Sequence, residues 1–260
     1  MKKKALLGLL SLCLVLVAST SCKEKAKVED KSTVAATEGT VQIPEAEVLT
    51  STVLTAAEQA ALKPADVFNL LKEGNKEFVE DNLTVRNNSQ RVRDAATAQF
   101  PMATVLSCLD SRVPVEDIFH RGIGDLFVAR IAGNIVNEDI LGSFEFATKV
   151  SGAKVIVVLG HEYCGAVMSA IDDVKLGNIT ALLAKIQPAV AAAGKTFEGE
   201  KTAANPAFVE AVCDHNVEIA MEQLRTKSPI LKELEDKGEL LIVGGVYDMK
   251  TGKVNFFEKK

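Results

Sequence analysis

Residues 153–168 read AKVIVVLGHEYCGAVM, and the fold is decided here. Lys154 to Leu159 is a short run rich in Val and Ile with no polar face, too brief for a helix and suited to a strand covered on both sides, as in a parallel sheet. Gly160 closes the run, and a helix is predicted from near Cys164 through Met168 and Ile171 toward Leu176. Strand, turn and helix in that order are half of a βαβ unit. Two earlier runs, Ala103 to Ser107 and Leu126 to Ala132, have the same character. Helical candidates Pro114 to Phe119 and Asp139 to Val150 alternate with them, the second carrying Ile140, Phe144 and Ala147 on one face. Upstream, apolar residues from Ala56 to Phe78 recur at three- and four-residue steps, with Pro64 at a helix start, so one or two amphipathic helices precede the sheet. Leu83 to Gln99 reads as loop plus a short helix. Downstream, helices are predicted over Thr180 to Ala193 and Pro206 to Arg225, with a short one opened by Pro229. Leu240 to Tyr247, the Thr251-Gly252 turn and Val254 to Phe257 then form a strand and hairpin at the sheet edge. No internal repeat is present, and the reading is one α/β domain over about residues 56–260.

The chemistry-bearing residues stand at the carboxyl ends of these strands. Cys108 follows the first run, and His161 and Cys164 follow the third. In an open α/β sheet that edge, at a switch in strand order, is where ligands bind. Thiolates and imidazole favour zinc over magnesium or calcium, and three protein ligands leave the fourth tetrahedral position open for catalysis. Cys164 begins a helix, which favours its thiolate form. Cys108-Leu109-Asp110-Ser111-Arg112 adds a carboxylate that a neighbouring guanidinium keeps ionised and fixed in direction. A Cys108–Cys164 disulfide is the competing reading, but it explains neither His161 nor the Asp110–Arg112 spacing. Cys213 and His215 imitate a metal pair; two apart on a helix they face different ways, so Cys213 is read as core. His120 is most simply a surface or loop imidazole, with proton shuttling the sharper alternative. Phe127 and Phe146 read equally as core or as pocket. No glycine pattern of the dinucleotide-binding kind follows a strand.

The chain has 260 residues, 47% hydrophobic and 25% charged, with 17 Gly and 7 Pro, which excludes wholesale disorder. A net charge of -5 recommends a small substrate and no nucleic acid. Lys2, Lys3 and Lys4 precede an apolar stretch from Ala5 to Ala18, then Ser19, Thr20, Ser21 and Cys22. The stretch is shorter than the roughly 20 residues a membrane span needs, so it reads as a secretory signal over residues 1–21. Its removal leaves 27 basic against 35 acidic residues, a net charge of -8. Residues 22–55 lack a sustained period and read as a tether ahead of the domain at 56–260. Cys108, Cys164 and Cys213 then remain as an odd set of thiols in an oxidising compartment, which speaks against a purely structural disulfide framework.

Two resemblances sharpen the picture. The small-residue run ending in Cys22 is similar to the processing site of bacterial lipoproteins, although Ser19 stands where those usually have Leu. It implies a diacylated Cys22 and an exported, membrane-anchored lipoprotein facing the periplasm or cell surface; ordinary cleavage near Thr20 or Ser21 is the alternative. Ser107-Cys108-Leu109-Asp110-Ser111-Arg112-Val113-Pro114 with Gly160-His161-Glu162-Tyr163-Cys164-Gly165-Ala166 resembles the β-class carbonic anhydrases. The likeness extends through Gly124 to Arg130 and Ala132-Gly133-Asn134, and more loosely over Ala56 to Phe257. It implies a four-stranded parallel sheet flanked by helices, with an added edge strand and an N-terminal helical arm. It also implies Zn2+ on Cys108, His161 and Cys164, with a zinc-bound hydroxide converting carbon dioxide reversibly to bicarbonate and a proton. Asp110 with Arg112 would be the orienting pair, or Asp110 a fourth ligand in a closed state. Gln99 would be a pocket amide, and Phe127 and Phe146 would line the pocket from the neighbouring subunit, Phe146 replacing a frequent Tyr. The Gly165 N–H would meet a bicarbonate oxygen. Homo-oligomers, dimer or tetramer, are expected. The other readings are hydrolysis of carbon disulfide or carbonyl sulfide, and a non-catalytic zinc-binding surface lipoprotein.

Overall fold

A strand that is apolar on both faces needs cover above and below, and this chain provides it by alternating strand with helix. The computed structural model describes residues 52–82 and 87–257; the signal segment, Cys22 and most of the tether lie outside them. Helix α1 (Ala56–Ala61) opens on a capping box, in which Thr55 Oγ1 accepts from the Glu58 N–H and the Glu58 carboxylate accepts from the Thr55 N–H. Pro64 starts α2 (Pro64–Val79), and the Asn87 side chain caps α3 (Asn88–Asp94). Then come β1 (Ala103–Ser107), α4 (Val115–Ile118), β2 (Leu126–Arg130), α5 (Glu138–Glu145) and β3 (Val155–His161). The second half holds α6 (Gly165–Ile171), α7 (Gly177–Leu183), α8 (Gln187–Thr196), α9 (Pro206–Lys227) and α10 (Pro229–Asp236), then β4 (Leu241–Tyr247) and β5 (Val254–Phe256).

The sheet order is β2-β1-β3-β4-β5. The first four strands are parallel, and β5 returns antiparallel to β4 as the added edge strand. Alternate strand residues serve two cores. Val105, Val157 and Leu159 pack with Val67, Leu71, Ile118 and Phe119 on one face, while Leu106, Ile156 and Val158 meet Phe144, Val217 and Leu224 on the other. Double-sided burial is why these strands read as continuous apolar runs. Among the described residues, no helix is long and apolar enough to cross a membrane.

Several element ends differ from the sequence expectation. The strand predicted to Leu159 continues to His161, because β4 pairs with it as far as Tyr247. The helix expected to run to Leu176 stops at Ile171, and Asp173 takes a φ of +50°. The helix expected over Thr180 to Ala193 is two, because Pro188 lacks an N–H and begins a new helix more readily than it continues one. The run to Ala132 leaves the sheet at Arg130 and becomes a 3-10 turn, Ala132–Asn134. The helix expected to Val150 changes at Phe146 to a wider π turn, closed by the Ser151 N–H on the Phe146 carbonyl at 3.0 Å.

Candidate metal centre

From β1 the chain moves outward to β2 and then crosses back to β3 on the other side of β1, so the strand order reverses between β1 and β3. A crevice forms at such a reversal. Ser107 is in register with Leu159, so Cys108 and the Gly160-His161 step leave this part of the sheet side by side. Cys164 is brought back by Tyr163, whose φ of +52° tightens the turn after His161. That backbone costs about 1–3 kcal/mol in a non-glycine residue, the kind of strain that collects at functional sites. One sulfur from each cysteine and one imidazole nitrogen consequently lie within 4.8 Å of one another, all on buried residues. Among the described residues Cys108, Cys164 and Cys213 are free thiols, so the Cys108–Cys164 disulfide reading fails.

The imidazole is prepared for a cation. Its Nδ1 lies 2.8 Å from the Glu162 carbonyl, which can only accept, so Nδ1 carries the proton and Nε2 the lone pair. Nε2 is buried with no hydrogen-bond partner among the described residues. An orphaned, inward-facing nitrogen between two sulfurs is costly unless something electrophilic sits there, and the donor set fits zinc. Within the cysteine pair, Cys108 is held well below the usual thiol range, first by the hydrogen bond from Cys164, with the Gly133 N–H adding to it. Cys164 is pushed up by sharing that proton and by burial.

Asp110 and Arg112 meet as expected. Arg112 Nε and Nη2 donate to the two Asp110 carboxylate oxygens at 2.9 and 2.8 Å, and the Arg112 N–H adds a third bond at 2.9 Å. This fork, above all the guanidinium, holds the Asp110 carboxyl well below the usual carboxylate range. Asp110 Oδ2 is 3.9 Å from His161 Nε2, placing a fixed negative charge at the edge of the triad. Arg112 Nη2 also reaches the Tyr163 carbonyl at 3.4 Å, joining the two ligand loops.

The remaining site expectations divide. Gly165 opens α6, is exposed, and would carry a Cβ without meeting any atom within 4 Å. Phe127 and Phe146 line one groove with Gly142 and Ala147 beside β2, and Phe146 is 54% exposed. Gln99 is exposed in the segment before β1. His120 lines a different surface pocket with Asp117 and Asn82. Cys213 is core, as expected, and His215 pairs with Glu218 on its own helix at 3.1 Å. Sequence reasoning missed two supports of the Cys108 loop. Arg130 donates through Nε to the Cys108 carbonyl at 3.0 Å and through Nη2 to that of Asp110, and the Gly133 N–H points at Cys108 Sγ, 3.4 Å away. The first follows from the strand register that pairs Ser107 with Arg130, which the residue spacing does not carry.

Fold and centre together define an α/β protein with an open two-sulfur, one-imidazole site for a transition metal, flanked by a fixed carboxylate. The comparisons then make the family plain. A family model described as carbonic anhydrase matches residues 103–254. A carbonic anhydrase of Mycolicibacterium smegmatis is 34% identical over 197 residues, covering 74% of this chain and 92% of that protein. One of Pseudomonas aeruginosa is 35% identical, covering 64% and 78%. Among solved structures, a tetrameric β-carbonic anhydrase of Sordaria macrospora shares the fold at a TM-score of 0.60 and 23% identity, over 75% of this chain and 95% of that one. A Coccomyxa β-carbonic anhydrase in complex with acetazolamide matches at 0.58 and 22%, over 75% and 86%. The chain belongs to the carbonic anhydrase family and has the β-class fold.

Proposed function

We propose that this protein interconverts carbon dioxide and bicarbonate at a zinc ion held by Cys108, His161 and Cys164. The carrying observation is the buried, unpartnered His161 Nε2 within reach of two free cysteine sulfurs. Zinc so bound supplies a Lewis acid that makes water nucleophilic near neutral pH. The chain's own residues do the rest. Arg112 keeps Asp110 ionised and aimed, so the carboxylate accepts a hydrogen bond from the reacting water and orients its lone pair toward the substrate carbon. The Gly165 N–H is available to an oxygen of bicarbonate. A fork that aims a carboxylate at the edge of the ligand set supports catalysis over passive zinc binding.

The same reading extends to assembly and place. Strand β2 is an edge of the sheet within the protomer, and the groove beside it presents Phe127 and Phe146, which suits a homodimer or tetramer that completes the pocket across subunits. The N-terminal pattern supports export and a lipid anchor at Cys22. Elemental analysis paired with stopped-flow hydration is the test: the purified protein is expected to hold about one zinc per chain and to lose activity with a chelator. A folded, zinc-loaded protein inactive across a range of pH overturns the proposal.

A further inference from the structure

Helix α9 passes behind the metal ligands, and two of its buried side chains hold backbone on the ligand side. Cys213 Sγ donates to the His161 carbonyl at 3.4 Å. Asn216, three residues on and 4% exposed, donates through Nδ2 to the Gly133 carbonyl at 2.8 Å. Gly133 in turn directs its N–H to Cys108 Sγ. The close approach depends on strand glycines beneath the helix: a Cβ on Gly160 would stand 2.7 Å from Val217 Cγ2 and 2.9 Å from Cys213 Sγ.

We infer that Asn216 is a positioning residue of the metal centre, anchoring Gly133 so that its N–H stays on the Cys108 sulfur. The N–H and the carbonyl of Gly133 flank one Cα, and that residue's φ and ψ change at less cost than any other's. A turn centred on it therefore needs an outside anchor. Its ends are fixed by the Ile131 N–H on the Ser107 carbonyl at 3.0 Å and the Asn134 N–H on the Ile131 carbonyl at 2.9 Å, neither of which holds the Gly133 carbonyl. Asn216 does. Hydrogen bonds to ligand atoms set ligand direction and charge, and losing such support typically costs about 10–100-fold in metal affinity or activity.

Asn75 is the built-in comparison. It too is buried and binds backbone, donating to the Gly252 and Ile118 carbonyls at 2.9 and 3.2 Å and accepting from the Val254 N–H at 2.8 Å, but it touches no candidate ligand. The inference rests on the zinc reading above. Zinc-loaded full chains of the wild type, Asn216→Ser and Asn75→Ser are compared by the rate of zinc transfer to a chromophoric chelator, by the thiolate-to-metal charge-transfer band after cobalt substitution, and by thermal unfolding. Asn216→Ser is expected to release zinc about tenfold or more faster, with a shifted band. Asn75→Ser is expected to melt lower while releasing zinc at the wild-type rate. Wild-type release and an unshifted band in folded Asn216→Ser overturn the inference and leave the metal site standing; a wild type that takes up no zinc overturns both. Should the Ser variant not fold, Asn216→Gln, which moves the amide by one methylene, is read by the same two outcomes.

Discussion

Gly133→Ala puts one methyl group into the turn that supports Cys108. Gly133 sits at φ +67°, where an L side chain costs about 1–2 kcal/mol. Its Cβ would stand 2.5 Å from Ile186 Cδ1 and 3.2 Å from Ala166 Cβ. Ile186 is fully buried, so its methyl has no solvent to move into, and overpacking of this kind adds about 1–3 kcal/mol. The expected loss is therefore about 2–5 kcal/mol, which for a domain of this size lowers the melting temperature by about 4–20 °C. Gly165→Ala is the control, because a Cβ there meets nothing within 4 Å and its stability should stay within about 0.5 kcal/mol of wild type. Thermal and guanidinium unfolding of the three proteins at matched zinc content decide it. A Gly133→Ala protein melting within a degree or two of wild type would refute both the clash and the left-handed penalty.

Arg112→Ala should keep its zinc and turn over about 10–100-fold more slowly, since it removes the fork that aims Asp110 without removing a ligand; wild-type turnover would remove Arg112 from the mechanism. Burial, with repulsion from Glu210 and Glu218, raises the Asp214 carboxyl from 3.8 to about 6. The folded state thus holds that proton more tightly than the unfolded chain, and stability falls as pH rises from about 4 to about 6, then levels. Asp214→Asn should accordingly melt higher than wild type at pH 7 by a wider margin than at pH 4, and equal margins would contradict the assignment. Arg91 and Asp125, 2% and 5% exposed, form an ion pair at 2.5 Å, and Asp125 also accepts the Gly122 N–H at 2.7 Å. Arg91→Ala should cost about 3–5 kcal/mol by chemical denaturation, because it leaves a buried carboxylate without its cation; a cost below about 1 kcal/mol would show that water reaches Asp125.

The element order was legible because it is local. Val155 to Leu159 is apolar on both faces and short, and that pattern alone specifies a buried strand wherever it lies. Pro64, Pro206 and Pro229 mark helix starts for an equally local reason, a missing N–H where none is needed. Metal-ligand chemistry was legible too: sulfur, sulfur and imidazole at strand ends have few other uses. Local pattern misled where neighbours in space decide an ending. Strand β3 runs on to His161 because β4 pairs with it that far.

By itself, then, the sequence determined which residue types could bind a cation and which strands would carry them. Only the tertiary structure decided what stands around those residues, because such contacts come from register and chain path rather than from spacing. Arg130 reaches the Cys108 loop through strand pairing, and Asn216 finds Gly133 from 83 positions away because α9 is laid across the sheet.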